Sequence, residues 1–475
     1  MNSVKSKNKI IGFGVVIVLL ITFFALCFLT ISNIEKAKAI AQKDKDIKII
    51  HMTDIHVMPD NYCNIYSEDF KHDSKGNTKL LEQSSSVLLT ALTQIYEMPD
   101  DEAPMYILVS GDLTSNGEYE ANLLVAEAYG QLTTKMRSRP GFENFQVFII
   151  PGNHDMYNDA SVSYMPTEEE LTTFKTNYVN DNGLDLSNDE DDEMYQQALI
   201  DYLTTYKKRY VKTTTSEDMF KIYGDFGYNK NSSKLASNVS IKLFIESEYW
   251  YEPGKATVTY ENDVFVSSTG LNTVALNKKR MEAWENSGKN FELITKESKI
   301  GACSYIAETS DYTFVCLDGS ARIYEEKMKK HPELQADWNE TTGGLVTDAM
   351  LKWTIAETRA DVQADKMILT QVHFNAIPHF DAEDEVISLF TLDNWEEFSY
   401  TLAKNGLRYV FSGHQHANDI VYYKTQSGDI IYDFETCSAI SYGSSYRSLK
   451  FTRMKDSNGE YYEEPYEIAE HVSKS

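Results

Sequence analysis

The chain has 475 residues, of which 42% are hydrophobic, enough to bury one large core, and its 31 Tyr and 22 Phe mark a globular composition. A formal net charge of -27 argues against non-specific nucleic-acid binding, because a phosphate backbone would be repelled. Small phosphorylated substrates stay open, since bound metal ions can reverse a local field, and five cysteines are too few for a disulfide scaffold.

Residues 10–31 form an uncharged, almost wholly apolar run of 22 residues, long enough to cross a bilayer at about 1.5 Å per residue. Lys5, Lys7 and Lys9 precede it and weakly favour a cytoplasmic N-terminus, although Lys36 and Lys38 follow. A cleavable signal peptide is the competing reading, with Ala37-Lys38-Ala39 as its cleavage pattern, but such peptides usually carry only about 7–15 apolar residues. Leu26 ahead of Cys27 argues against lipoprotein processing. The expectation is a tail at 1–9, a transmembrane signal-anchor at 10–31 and a linker at 32–45. The protein would then be a single-pass cell-membrane protein, in contact with the lipid bilayer through this helix. The rest of the chain would be extracytoplasmic, or secreted if the segment is cleaved.

A short buried strand around Ile47, Ile49 and Ile50 delivers Asp54-Ile55-His56. Residues 80–96 have helical apolar spacing through Leu80, Val87, Leu88, Ala91 and Ile95. Residues 105–109 form a second strand, delivering Gly111-Asp112. A helix at 118–136 and a strand at 146–150 follow, and the strand delivers Gly152-Asn153-His154-Asp155. This alternation is the pattern of parallel α/β construction.

Regularity then breaks. Residues 157–215 are polar, with an acidic run at 188–193 that reads as a solvated loop tip and a helix at 198–210. Residues 229–300 read as a second insertion, with alternating patches at 239–244, 257–260 and 264–266. Strands at 305–307 and 312–318 resume the sheet, and Cys303 and Cys316 read as buried thiols. A helix at 349–358 precedes a strand at 366–370 that delivers His373. A helix at 395–404 precedes a strand at 407–411 that delivers Gly413-His414-Gln415-His416. A meander of strands closes the chain, with 451–475 as a C-terminal extension to a domain at 46–450.

One Asp-x-His triplet is a weak signal. Five apolar runs that each end in Asp, Asn or His read as five loops converging on a two-metal site, at the strand ends where α/β sheets bind ligands. The ordered set Asp54-x-His56, Gly111-Asp112, Gly152-Asn153-His154-Asp155, His373 and Gly413-His414-x-His416 resembles the calcineurin-like metallophosphoesterase family. Residues 224–228, Ser304-Tyr305 and the stretch His373-Phe374-Asn375-Ala376-Ile377-Pro378-His379 also resemble a bacterial membrane-anchored or extracellular branch.

The resemblance implies an α/β double β-sheet sandwich flanked by helices, with two divalent ions (Mn, Fe or Zn) at the strand ends. Asp54, His56 and His416 would take one ion, Asn153, His373 and His414 the other, and Asp112 would bridge them. Imidazole and carboxylate suit such ions, and two metals sharing a hydroxide can drive an in-line displacement. His154 would protonate the leaving oxygen or stabilise its developing charge, with Asp155 orienting it. Asn375 and His379 stand as candidates for substrate contact or for support of the ligands, and His379 could equally be surface decoration. The expected activity is hydrolysis of small phosphomonoesters or phosphodiesters outside the membrane. Phe374 departs from the pattern, since many relatives have a second histidine there and Phe neither binds metal nor moves protons. A silent binding or scaffold protein on the same fold is the alternative. A DNA nuclease, known among relatives, is disfavoured by the acidic charge.

Overall fold

The structure is a computed structural model that describes residues 47–63, 79–156, 166–210, 212–250, 301–320, 344–381, 383–386, 390–441, 444–455 and 461–472. Strands β1 (Ile47–Met52), β2 (Tyr106–Ser110) and β3 (Gln146–Ile150) run parallel in that spatial order. Helices α1 (Ser84–Glu97) and α2 (Tyr119–Arg137) are their crossovers. In α1 the stripe Val87, Leu88, Ala91, Leu92 and Ile95 is buried, as a helix packed on a sheet by one face requires. Every residue of β2 and β3 is buried, because a parallel strand is covered on both faces.

Helices α3 (Glu168–Asn182), α4 (Asp189–Tyr210) and α5 (Ser216–Ile222) lead to the second sheet. Its strands are β4 (Ser240–Leu243), β5 (Tyr305–Glu308), β6 (Tyr312–Leu317), β7 (Met367–Val372), β8 (Tyr409–Ser412), β9 (Asp419–Lys424) and β10 (Ile430–Glu435). Their order is β4-β5-β6-β7-β8-β10-β9, with a parallel centre from β6 to β10 and antiparallel edges. Helices α6 (Asp348–Gln363), the four-residue α7 (Glu383–Val386) and α8 (Trp395–Lys404) connect β6, β7 and β8. Strands β11 (Ser445–Lys455) and β12 (Tyr461–Val472) end the chain. Among the described residues, those within 49–448 and 469–472 form one compact unit, and those within 47–48 and 449–468 belong to another.

Inside the first unit the two sheets face each other. Tyr106 and Phe148 set their rings 4.7 and 4.6 Å from Phe314. A polar seam runs through this apolar layer. Ser110 Oγ donates to Gln371 Oε1 (3.3 Å), and Gln371 Nε2 donates to the Phe148 carbonyl (3.4 Å). His51 joins the seam through Ser110 Oγ (2.8 Å) and Thr436 Oγ1 (2.7 Å), and burial holds its pKa down at about 3, so it is a neutral structural group. A second core cluster lies on the outer side of the larger sheet, with Trp353 5.2 Å from Phe244.

Several sequence expectations are corrected here. No helix among the described residues is long and apolar enough to cross a membrane. The signal-anchor, the lipid-bilayer contact and the single-pass, extracytoplasmic cell-membrane placement are therefore not supported. The apolar run at 10–31 that prompted them lies outside the described residues. The longest described helix, α4 at 22 residues, opens on Asp189, Glu190, Asp191 and Asp192, where a spanning helix needs about 20 apolar residues. The fold class that stands is the double-sheet α/β architecture alone. The acidic run at 188–193 is not a loop tip. It starts α4, where carboxylates meet the positive end of the helix dipole. Helix α3 was missed altogether, although Thr167 and Glu170 form a full capping box, because none of its residues is buried and it has no apolar stripe to read. The patches at 257–260 and 264–266 lie outside the described residues, whereas the one at 239–244 is β4.

Trp353 is 1% exposed. Trp353→Ala is expected to destabilise the protein by about 3–5 kcal/mol, read as a shift in the urea midpoint at an unchanged slope.

Candidate metal centre

The five loops leave the C-terminal ends of β1, β2, β3, β7 and β8, and their backbones remain paired past the strands. The Asp54 amide donates to the Gly111 carbonyl (3.0 Å), His56 to Asp112 (2.9 Å) and Gly413 to His373 (2.9 Å). Asp54, His56, Asp112, His414 and His416 all adopt positive φ, between 44° and 70°. Such a conformation costs a non-glycine residue about 1–3 kcal/mol and persists only where the surroundings enforce it. Here it turns successive side chains inward instead of letting them alternate across the strand. The glycines before the ligands allow close approach. A Cβ on Gly152 would run into the Asp112 carboxylate, and one on Gly413 into Thr53 and Asp54.

The side chains meet as three overlapping groups with metal-ligand spacing: Asp54, His56 and His416; His56, Asp112 and His154; and Asp112, His373 and His414. His56 Nε2 lies 3.1 Å from His416 Nε2 and 3.6 Å from Asp112 Oδ2, and His416 Nε2 lies 3.1 Å from Asp54 Oδ1. His373 Nε2 lies 3.0 Å from Asn153 Oδ1 and 3.3 Å from Asp112 Oδ1. Donor atoms about 3.0–3.5 Å apart are what bonds of about 2.0–2.2 Å to a common ion produce. The tautomers agree with this. His373 Nδ1 donates to the Ser110 carbonyl (2.7 Å), and His416 Nδ1 meets Ser441 Oγ (3.1 Å), so each Nε2 faces the cluster. The residues present therefore fit a pair of divalent ions.

Charge acts strongly here. Burial raises the Asp112 carboxyl, but His373 and His154 outweigh it and hold it well below its usual range. Burial lowers His373, yet Asp112 and Asp54 bring it up to about 9, whereas burial and His373 push His414 down to about 3.

His154 stands at the open side, its side chain 27% exposed, with Nε2 3.9 Å from Asp112 Oδ2. Its Nδ1 is held by the carbonyl of Ser115 (2.6 Å). The two oxygens of Asp155 accept from the Thr114 amide (2.9 Å), the Thr114 hydroxyl (3.0 Å) and the Gly152 amide (2.7 Å). Asp155 thus fixes the β2 and β3 loops. The contact at His154 Nδ1 is a backbone carbonyl, which no side-chain motif could reveal.

The ring of His379 is buried among carboxylates, with Nδ1 3.2 Å from Asp419 Oδ2 and 3.4 Å from Glu435 Oε2, and Nε2 3.5 Å from Asp433 Oδ2. Burial lowers its pKa, but Asp433 and Glu435 raise it to about 9. Surface decoration is excluded. Asn375 is fully buried and donates to Glu383 Oε1 (3.4 Å). Phe374 lies 4.5 Å from the ring of His414 and is fully buried, a wall behind that histidine. The sequence reading passed over Ser115, Ser441 and Glu383.

This centre has the donor set of a candidate two-ion site. Residues 47–264 match the family described as calcineurin-like phosphoesterase. No curated protein matches it. Among solved structures it is similar to the 2.05 Å crystal structure of a putative 5'-nucleotidase from Staphylococcus aureus in complex with alpha-ketoglutarate. Identity is 12% and the TM-score is 0.31, and the match covers 90% of this chain and 55% of that one. The chain therefore spans about half the length of that protein.

Gly413→Ala should displace Asp54 and loosen the metal-ligand cluster. The expected outcome is weaker metal binding by elemental analysis after dialysis, with far-ultraviolet circular dichroism unchanged. Full retention of metal would show that the close approach is dispensable.

Proposed function

We propose that the chain hydrolyses phosphate esters at this centre. Asp54, His56 and His416 hold one divalent ion (Mn, Fe or Zn), Asn153, His373 and His414 hold a second, and Asp112 lies between them. The observation that supports this most is the packing of His Nε2 atoms against carboxylate and amide oxygens at 3.0–3.6 Å, close enough to share bound ions. Bound divalent ions supply the positive charge and Lewis acidity that a phosphoryl group needs as negative charge develops on its oxygens.

The protein's own groups do the rest. Asp54 Oδ2 accepts from the His414 amide (2.8 Å) and Asp112 Oδ1 from the His154 amide (3.0 Å), so each carboxylate is aimed by the loop of another ligand. The Ser115 carbonyl fixes the proton of His154 on Nδ1, leaving Nε2 to face substrate. In its protonated form His154 donates from Nε2 to the leaving oxygen. Burial lowers its pKa, which makes the proton easier to give up, and the Asp112 charge opposes that shift.

Three measurements test this. The purified chain, supplied with Mn²⁺ or Zn²⁺, is expected to turn over p-nitrophenyl phosphate or bis-p-nitrophenyl phosphate and to stop on chelation. Absence of turnover on both esters and on nucleotides would leave the scaffold alternative. Asp112→Ala should lose both ions by elemental analysis, and a variant that keeps two would remove the bridging role. His154→Ala should keep both ions yet lose roughly 10²–10⁴-fold in kcat/KM on alkyl phosphate esters. It should lose less on a p-nitrophenyl ester, whose leaving group needs no proton. Equal losses on both would remove the general-acid role.

A further inference from the structure

We infer that Glu383 is a positioning residue that sets the place of both ions through Gln415. This rests on the proposed two-ion reading and extends it to a residue outside every ligand motif. Glu383 opens the four-residue helix α7 and is fully buried. Its Oε1 accepts from Gln415 Nε2 at 2.8 Å, and more weakly from Asn375 Nδ2 at 3.4 Å and Thr391 Oγ1 at 3.5 Å. Its Oε2 accepts from the His379 amide at 2.5 Å.

The sequence positions of these partners give the contact its meaning. Gln415 sits between His414 and His416, which serve different ions, and Asn375 lies two residues past His373. One carboxylate therefore ties the loop after β7 to the loop after β8. The second loop needs tying. His414 and His416 both sit at positive φ, 70° and 60°, and the Gln415 amide closes a tight turn onto the Gly413 carbonyl (2.8 Å). Relaxation of either histidine toward ordinary φ would swing its ring away from the cluster. The His414 end is pinned by its amide on Asp54 Oδ2 (2.8 Å) and by Phe374. Between the two histidines, the side-chain restraint is the Gln415–Glu383 contact. Asn375, a candidate for substrate contact or ligand support in the sequence, shares Oε1 with Gln415, and the His379 amide holds Oε2. Groups that back metal ligands in this way are typically worth 10–100-fold in metal affinity or activity.

The test uses the full chain stripped of metal and titrated with Zn²⁺ by calorimetry, with the metal-free melting temperature recorded for each variant. Gln415→Ala, at a half-buried position, keeps the fold and should weaken both ions by about 10–100-fold. Glu383→Ala should do the same, and the double variant should lose no more than the worse single, as members of one interaction do. Gln415→Glu sets carboxylate against carboxylate and should bind worse than Gln415→Ala. Adding Glu383→Gln to it exchanges donor and acceptor across the same contact and should recover most of the loss, which a role in general stability would not do.

Unchanged affinity for both ions in Gln415→Ala and Glu383→Ala overturns the inference. An exchanged pair that recovers nothing also overturns it. If the wild type binds two ions but hydrolyses no ester, the hydrolytic reading alone falls and the titrations still decide the role of Glu383. If the wild type binds fewer than two, the two-ion reading falls and this inference with it.

Discussion

Groups that repel one another are crowded into one buried place, and the surrounding loops are built to keep them there. Imidazole nitrogens 3.1 Å apart, each facing a carboxylate, are unfavourable neighbours without a proton or a cation between them. Five of the residues concerned also hold a backbone conformation that L-amino acids avoid. A folded chain keeps such an arrangement only when its neighbours leave no alternative. Here the neighbours are parallel strands whose pairing continues into the loops, glycines that admit a carboxylate where a side chain would collide, and amides from one loop bound to carboxylates of the next.

That construction explains why the site spans both sheets. Asp54, Asp112 and Asn153 come from the parallel end of one sheet, and His373, His414 and His416 from the parallel centre of the other. The two sets meet only if the sheets are held in fixed register face to face. The buried seam through His51, Ser110, Gln371 and Thr436 does this directly beneath the loops. Apolar side chains can slide at little loss, whereas hydrogen bonds in a dry interior have one satisfying geometry. The seam thus sets the geometry that the ligands above it inherit.

The sequence made the strands and the ligand motifs legible for one shared reason: both are local. An apolar run of five or six residues followed by Gly-Asp or Gly-His is written in consecutive letters, and β2, β3, β7 and β8 lie close to where those runs put them. What stayed hidden acts across the chain or through the backbone. The partner of His154 Nδ1 is a carbonyl, which every residue has, so Ser115 gave no sign. Glu383 reaches Gln415 across 32 positions from a helix of one turn. Helix α3 buries no side chain and so lacks periodicity. The acidic run at 188–193 was misread because the same carboxylates suit a solvated loop and a helix start, and only the helix that follows decides between them. The apolar run at 10–31 lies outside the described residues. Its hydropathy and flanking lysines prompted a membrane placement that no described helix supports.

The overall charge of -27 would seem to keep phosphate esters away. The composition of the proposed ligand set argues otherwise. It contains only two carboxylates, Asp54 and Asp112, against four histidines and the neutral Asn153. Two divalent cations held by two carboxylates leave the centre positive, whatever the outer surface carries. The acidic residues of α3 and α4 face water and are screened beyond about 8–10 Å at ordinary ionic strength, whereas the centre acts at contact distance in a buried site. A carboxylate in place of Asn153 would cancel half of that residual charge. On the proposed reading, a neutral oxygen at that position would preserve the attraction for a phosphate ester while completing the ligand set, an electrostatic advantage of an amide over a carboxylate there.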